Sequence, residues 1–129
     1  FSGGTPDATP ASMATADVDA IASAQLETAQ AIENIDAIAA VPGIDALLIG
    51  PNDLAISMGC AGDLLGETLD NAIGKVAIAA KKHGKIFGMH APDPLTERWA
   101  PKGLALLMSN LDTNILTAGF KAICQKYKV

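Results

Sequence analysis

The sequence predicts an α/β fold in which short strands alternate with helices and pair into a parallel sheet. Short apolar runs that end in Gly, Pro, Asn or an acid alternate with longer stretches whose apolar residues recur at helical spacing. The composition agrees, because 50% of the 129 residues are hydrophobic and only 4% are aromatic. Such a composition suits small side chains packed closely between helices and a sheet. A single domain with a sizeable core is expected at this length.

The first predicted unit follows an irregular opening. Residues 1–17 are rich in Gly, Pro, Ser and Thr and are predicted to form an N-terminal loop. A strand of small residues is predicted at 18–26, directly before Glu27. One helix follows, and Pro42 and Gly43 end it. The apolar positions of that helix are Ala31, Ile32, Ile35, Ile38 and Ala39.

The second unit begins with a short buried strand at 44–49, which ends at the turn formers Gly50, Pro51 and Asn52. Asp53 comes next, at the start of a helix-like stretch. A longer amphipathic helix follows and ends at a glycine that three basic residues precede, where cations favour the helix dipole. Its apolar stripe, its basic residues and its closing glycine are Leu69, Ile73, Val76, Ala80, Lys81, Lys82, His83 and Gly84.

The last two units are shorter. A third strand is predicted at 85–90, and Asp93 with Pro94 begins a short helix that ends near Pro101 and Gly103. A fourth strand is predicted at 104–109, and Asp112 is predicted to cap a final helix. The apolar positions of the final helix are Leu116, Phe120, Ile123 and Tyr127.

Four strand–helix units in a row imply right-handed crossovers, which two architectures provide. One is an open, doubly wound sheet, and the other is part of a closed (β/α)₈ barrel. A complete barrel takes about 250 residues, so this chain would be roughly half of one. The periodicity alone favours neither architecture.

Glu27 and Asp53 both stand where a strand gives way to a helix-like stretch. The carboxyl ends of parallel strands meet at one rim of the sheet, so these two acids are expected to lie close together. A carboxylate pair of this kind suits a hard cation such as Mg²⁺ or Mn²⁺. The alternative is that each acid only caps a helix, where acids satisfy free N–H groups.

The charge and the cysteine count exclude other classes of function. A net charge of −5 argues against nucleic acid and anionic membranes as partners. No apolar run approaches the roughly 20 residues that a membrane span requires. The two cysteines do not form a disulfide framework, and no secretory signal is visible, so a cytoplasmic location is expected.

Residues 25–59 (QLETAQAIENIDAIAAVPGIDALLIGPNDLAISMG) resemble the metal-site region of the HpcH/HpaI aldolase/citrate lyase family, with its Q-I-E-T, G-I-D and G-P-x-D-L elements. The resemblance implies that 18–129 form a partial TIM barrel, strands five to eight, carrying the metal site. The roles it implies are ligation of a divalent metal (Mg²⁺, Mn²⁺ or Co²⁺) by Glu27 and Asp53, and binding of the pyruvate carboxylate by the backbone of residues 51–53. His90 lies near the position that sets aldehyde specificity. The substrate-binding residues it implies are Gln25, Gly50, Pro51, Asn52 and His90.

The implied reaction is cleavage of a 4-hydroxy-2-oxo acid, such as 4-hydroxy-2-oxoheptanedioate or a 2-keto-3-deoxy sugar acid, to pyruvate and an aldehyde. The negative charge of the pyruvate enolate must then be stabilised, either by a divalent metal or by a Schiff-base lysine. The sequence favours the metal, because Lys85 opens a strand at the opposite rim. The other lysines, expected on helices or surface connections, are Lys75, Lys81, Lys82, Lys102, Lys121, Lys126 and Lys128.

The family's acid/base histidine and its arginine belong to earlier strands, so the catalytic residues are expected upstream of Phe1. Activity would require that missing half, and the chain is expected to be a homo-oligomer or part of a longer protein. Where the family tends to have Gly-x-Asp after the last strand, this chain has Asn110, Leu111 and Asp112. Three alternatives remain: a citrate lyase-like or malyl-CoA-like lyase, a non-catalytic remnant, and a flavodoxin-like domain.

Overall fold

Strands and helices alternate in the computed structural model, which describes residues 20–128. The predicted loop at residues 1–17 lies outside the described residues. In chain order the elements are β1 (Ser23–Leu26), α1 (Ala29–Glu33), α2 (Ile35–Ala39), β2 (Ala46–Ile49), α3 (Pro51–Ser57), α4 (Glu67–His83), β3 (Ile86–His90), α5 (Asp93–Trp99), a 3-10 turn (Ala100–Lys102), β4 (Leu106–Met108) and α6 (Asp112–Tyr127).

The four strands are parallel and lie in the order β1-β2-β3-β4. Each strand therefore pairs with the next one in sequence, and Gln25, Leu48, Gly88 and Leu106 share one row across the sheet. A doubly wound sheet reverses its strand order at a switch point. Since the described strands show no such reversal, their order is that of one wall of a barrel.

The core lies between one face of the sheet and the helices. Residues from β1, β2 and β3 and from helices α1 to α5 fill it, with Leu47, Ile49 and Met89 fully buried. The opposite face is open, because Ile86 is 37% exposed and Met108 is 49% exposed. Burial on one face only is what a barrel wall shows when nothing covers its interior.

The first predicted helix is interrupted at Asn34. The structure has two short helices there, α1 and α2, because Asn34 leaves the helical conformation and its side-chain Nδ2 donates to the carbonyl oxygen of Gln30 at 2.9 Å. The Asn34 backbone amide also donates to this oxygen at 3.1 Å, so the interruption lies in the backbone angles of Asn34, φ −97° and ψ 12°. The second, third and fourth strands begin one or two residues later than predicted, and β4 ends one residue earlier. The first strand begins at Ser23, while positions 18–19 of its predicted range lie outside the described residues.

Helix α4 is confirmed, and Gly84 ends it in the left-handed conformation with φ of 64°. Its last turn is tied to α2, since Lys82 Nζ lies 2.7 Å and His83 Nε2 2.9 Å from Asp36 Oδ1. His83, predicted as a cation of the helix C-terminus, therefore also pairs with a neighbouring helix. Gly103 ends the 3-10 turn after α5 as predicted, with φ of 97°.

Helix α6 forms as predicted, but none of its described residues is buried. The residue that precedes it as N-cap is Leu111, whereas Asp112 is the first helical residue, so the predicted cap at Asp112 is wrong by one position. Asp112 Oδ1 instead accepts from the amide of Thr113 at 2.7 Å. Among the helices of residues 20–128, none has the length and apolar character that a bilayer crossing requires.

Candidate active site

The carboxyl ends of the strands surround a cavity of about 120 Å³. Glu27 directly follows β1, Asp53 lies in the first turn of α3 after β2, and His90 is the last residue of β3. The cavity brings together all of the site residues that the sequence predicts, which are Gln25, Glu27, Gly50, Pro51, Asn52, Asp53 and His90, with Leu48, Ile49 and Met108 as further lining. The two carboxylates thus face one cavity at one rim.

Glu27 is half-buried, and two neighbours determine where its side chain lies. Gln25 Nε2 donates to Glu27 Oε1 at 2.5 Å, so the amide orients the carboxylate. Gly50 also lies against the Glu27 side chain, where its lack of a β-carbon leaves the necessary room. The observed contact of Gln25 is therefore with the predicted ligand Glu27.

The capping alternative finds no support in the hydrogen bonds of the described residues. The N-cap of α1 is Thr28, whose Oγ1 accepts from the amide of Ala31 at 3.1 Å. The N-cap of α3 is Gly50, which makes no side-chain bond, and no hydrogen bond to the Asp53 side chain is formed within residues 20–128. Asp53 is exposed. Its charge favours the N-terminal end of the α3 dipole, but its oxygens stay available to a ligand.

The donor set fits a hard cation. Two carboxylates and a neighbouring amide offer oxygen ligands, which Mg²⁺ and Mn²⁺ prefer, whereas no thiol lines the cavity among the described residues. In the described part of the chain no group of three or more His, Cys, Asp or Glu side chains could enclose a metal ion. Glu27 and Asp53 would therefore leave coordination positions open to water and substrate oxygens.

No lysine or arginine of the described chain lines this cavity. Lys85 is at the opposite rim, as predicted, where its Nζ donates to the carbonyl oxygen of Ile44 at 2.6 Å. Arg98 contacts the Leu65 carbonyl and Asp70 away from the cavity. The described residues that line the cavity therefore include no amine that could form an imine with the substrate.

Met108, the last residue of β4, lines the cavity but was not among the predicted site residues. Met108 ends β4 as His90 ends β3, so its place at the carboxyl end of a strand is the signal that could have identified it. A second cavity of about 350 Å³ shares Asn52 and His90 with the first and reaches Asn110 and Asn114. The segment after β4, where the family motif is altered, therefore borders the site.

Comparison with known proteins finds one family of relatives. A model of the HpcH/HpaI aldolase/citrate lyase family matches residues 14–100. The chain is 31% identical over 105 residues to 5-keto-4-deoxy-D-glucarate aldolase of Salmonella arizonae, covering 81% of this chain and 41% of that protein. It is 33% identical over 106 residues to 4-hydroxy-2-oxo-heptane-1,7-dioate aldolase of Salmonella paratyphi C, covering 81% and 40%.

The structure also resembles that of a HpcH/HpaI aldolase/citrate lyase family protein from Burkholderia cenocepacia, with a TM-score of 0.78, 30% identity, and coverage of 91% of this chain and 46% of the other. The chain spans only about two fifths of the length of the curated relatives. Its parallel sheet is therefore similar to part of the TIM barrel of these structures. The resemblance seen in residues 25–59 is confirmed, and this chain belongs to the HpcH/HpaI aldolase/citrate lyase family.

Proposed function

We propose that this chain carries the metal- and pyruvate-binding part of an aldolase that cleaves a 4-hydroxy-2-oxo acid to pyruvate and an aldehyde. The observation that carries the proposal is the convergence of Glu27 and Asp53, with Gln25, on one cavity at the carboxyl rim of the sheet. Membership of a family of aldolases and lyases supports it. Both curated relatives compared above are named as aldolases.

In this proposal Glu27 and Asp53 hold Mg²⁺, Mn²⁺ or Co²⁺. When bound, such a cation supplies a Lewis acid that stabilises the negative charge of the pyruvate enolate. Gln25 keeps the Glu27 carboxylate oriented through its 2.5 Å hydrogen bond. The backbone of the turn Gly50–Asn52 borders the cavity and is the proposed contact of the pyruvate carboxylate.

The aldehyde part of the substrate would extend past His90. His90 and Asn52 belong to both cavities, so a substrate anchored in the smaller one could enter the larger one without a break. The residues that transfer protons are proposed to belong to the part of the family's barrel that this chain does not span. A thioester substrate is less favoured, since no lysine or arginine of the described residues lines either cavity.

Mn²⁺ titration monitored by electron paramagnetic resonance tests the proposal. We expect the native chain to bind Mn²⁺, and Glu27→Gln and Asp53→Asn each to weaken binding by about tenfold or more, as loss of a metal-site group typically does. Glu67→Gln and Asp93→Asn remove acids from the first turns of α4 and α5, outside the cavity. These two controls should retain Mn²⁺ binding.

Pyruvate should then strengthen Mn²⁺ binding by the native chain, because it would add oxygen ligands to the same ion. A native chain that binds no Mn²⁺ would support the alternative of a non-catalytic remnant. If the control variants lost as much Mn²⁺ affinity as the site variants, the effect would come from the net charge of the chain and not from a metal site.

A further inference from the structure

A separate cavity lies at the amino ends of the strands, opposite to the candidate active site and to the cavity beside it. Three lysines line it. Lys81 is in the last turn of α4, Lys85 directly precedes β3, and Lys102 ends the 3-10 turn. The cavity measures about 400 Å³, and Ile86 and Phe87 add apolar wall to it. The candidate active site does not include any of these residues.

Neutral groups, not carboxylates, hold two of these ammonium groups. Lys85 Nζ donates to the carbonyl oxygens of Ile44 at 2.6 Å and Val41 at 3.4 Å. Lys102 Nζ lies 4.1 Å from the centroid of the Trp99 ring, a cation–π contact. These contacts place the charges without neutralising them.

The acids near this rim are engaged elsewhere. Asp45 Oδ2 accepts from the amide of Ala22 at 2.9 Å, on the β1 side of β2, and Asp36 pairs with Lys82 and His83. No acidic side chain of the described residues lines the cavity. None of the three cavity lysines forms an ion pair with a carboxylate of the described residues. The cavity is thus a locally cationic region of a chain with a net charge of −5.

We propose that this cavity binds a small phosphorylated anion. Three lysines line this cavity with no acid beside them, and a multiply charged anion would be attracted by all three positive charges. Lysine binds phosphate as a point charge, whereas planar carboxylates favour the arginine fork, and no arginine of the described chain lines the cavity. The volume lies in the range of about 300–1,000 Å³ of small-molecule sites. Ile86, 37% exposed, offers an apolar contact to the organic part of the ligand.

Titration of the ¹⁵N-labelled chain with inorganic pyrophosphate tests this site. We expect saturable shifts of the amide signals of Gly84 and Gly103, which line the cavity. The double variant Lys81→Gln/Lys102→Gln should bind about tenfold more weakly, as the loss of two charge contacts predicts. The control Lys75→Gln/Lys121→Gln makes the same charge change at exposed positions outside the cavity and should shift the affinity less than about twofold.

Three results would overturn the proposal: no saturable shift of either glycine up to about 10 mM pyrophosphate, equal weakening in the control, or identical shifts with sodium chloride at the same ionic strength. If circular dichroism shows that the double variant is unfolded, Lys81→Gln alone is tested in its place, because the Lys81 side chain is exposed. Mn²⁺ affinity should be unchanged by these variants, which separates failure of this site from failure of the proposed aldolase site.

Discussion

The backbone of Gly50 lies directly against the side chain of Glu27. A β-carbon added at position 50 would stand 2.9 Å from Glu27 Oε1 and 3.0 Å from its Cγ. Such a contact is too short for real atoms, so any other residue at this position would displace the carboxylate. The cavity therefore depends on a glycine that ends the neighbouring strand.

We predict that Gly50→Ala weakens Mn²⁺ binding by about tenfold, because the metal-facing carboxylate must move. Gly74→Ala is the matched control, since its β-carbon would meet only Trp99 at an ordinary 3.7 Å. That substitution should leave Mn²⁺ binding unchanged and stabilise α4 by up to about 1 kcal/mol. Native-like Mn²⁺ affinity in Gly50→Ala would contradict the proposed position of Glu27.

Borohydride reduction in the presence of pyruvate should leave the mass of the chain unchanged. A Schiff base needs an amine at the reacting carbon, and no lysine of the described residues lines the candidate site. Intact-mass spectrometry before and after reduction measures the outcome. A mass gain that maps to a lysine peptide would favour imine chemistry over metal-assisted chemistry.

The stability of the chain should depend on pH through Asp36. A hydrogen bond from Lys82, then one from His83, holds the pKa of the Asp36 carboxyl below its ordinary value of 3.8. A lowered pKa in the folded state means that the carboxylate stabilises the fold above pH 3.8, and that this contribution is lost as the pH falls through the lowered pKa.

The Tm of the native chain should therefore exceed that of Asp36→Asn at neutral pH, and the gap should close in acid. The gap will be small, because the pair is exposed to solvent. Glu97→Gln, an exposed position of α5 outside these ion pairs, is the control and should show no such gap. If the Tm difference between the native chain and Asp36→Asn persisted in acid, the stabilisation would not come from the ionised Asp36 carboxylate.

The chain should associate in solution. One side of α6 exposes Leu116 by 60% and Phe120 by 66%, and the inner sheet face adds further apolar surface. Such contiguous patches are rarely left open to water. We expect Leu116→Ser/Phe120→Ser to raise the monomer fraction in sedimentation velocity, whereas Ile78→Ser, a position 70% exposed on α4, should not. A native chain that sediments as a monodisperse monomer would contradict this prediction.

The sequence predicted the strand ends well, because Glu27 and His90 stand where apolar runs meet polar or turn-forming residues. It missed the break at Asn34, because the apolar positions keep helical spacing across it and Ile32, Ile35 and Ala39 are all buried in the core. The apolar positions of α6 were also predicted from the sequence. Periodicity does not show which surface the apolar side of a helix packs against, and none of the described α6 residues is buried. The space that Gly50 leaves for Glu27 was beyond reach, since it depends on how two neighbouring strands lie.

The pairing of β1 with β2 has one more implication. Leu26 lies opposite Ile49, so the residues that follow the two strands leave the sheet at the same level. Side chains alternate between faces along a strand, and Glu27 directly follows β1, so a slip of one residue in this pairing would turn the Glu27 side chain toward the helices. In the proposed metal site, the alignment of Glu27 with Asp53 thus depends on a single βαβ unit. A mutation that loosens the pairing of these strands would be expected to weaken Mn²⁺ binding while both acids stay unchanged.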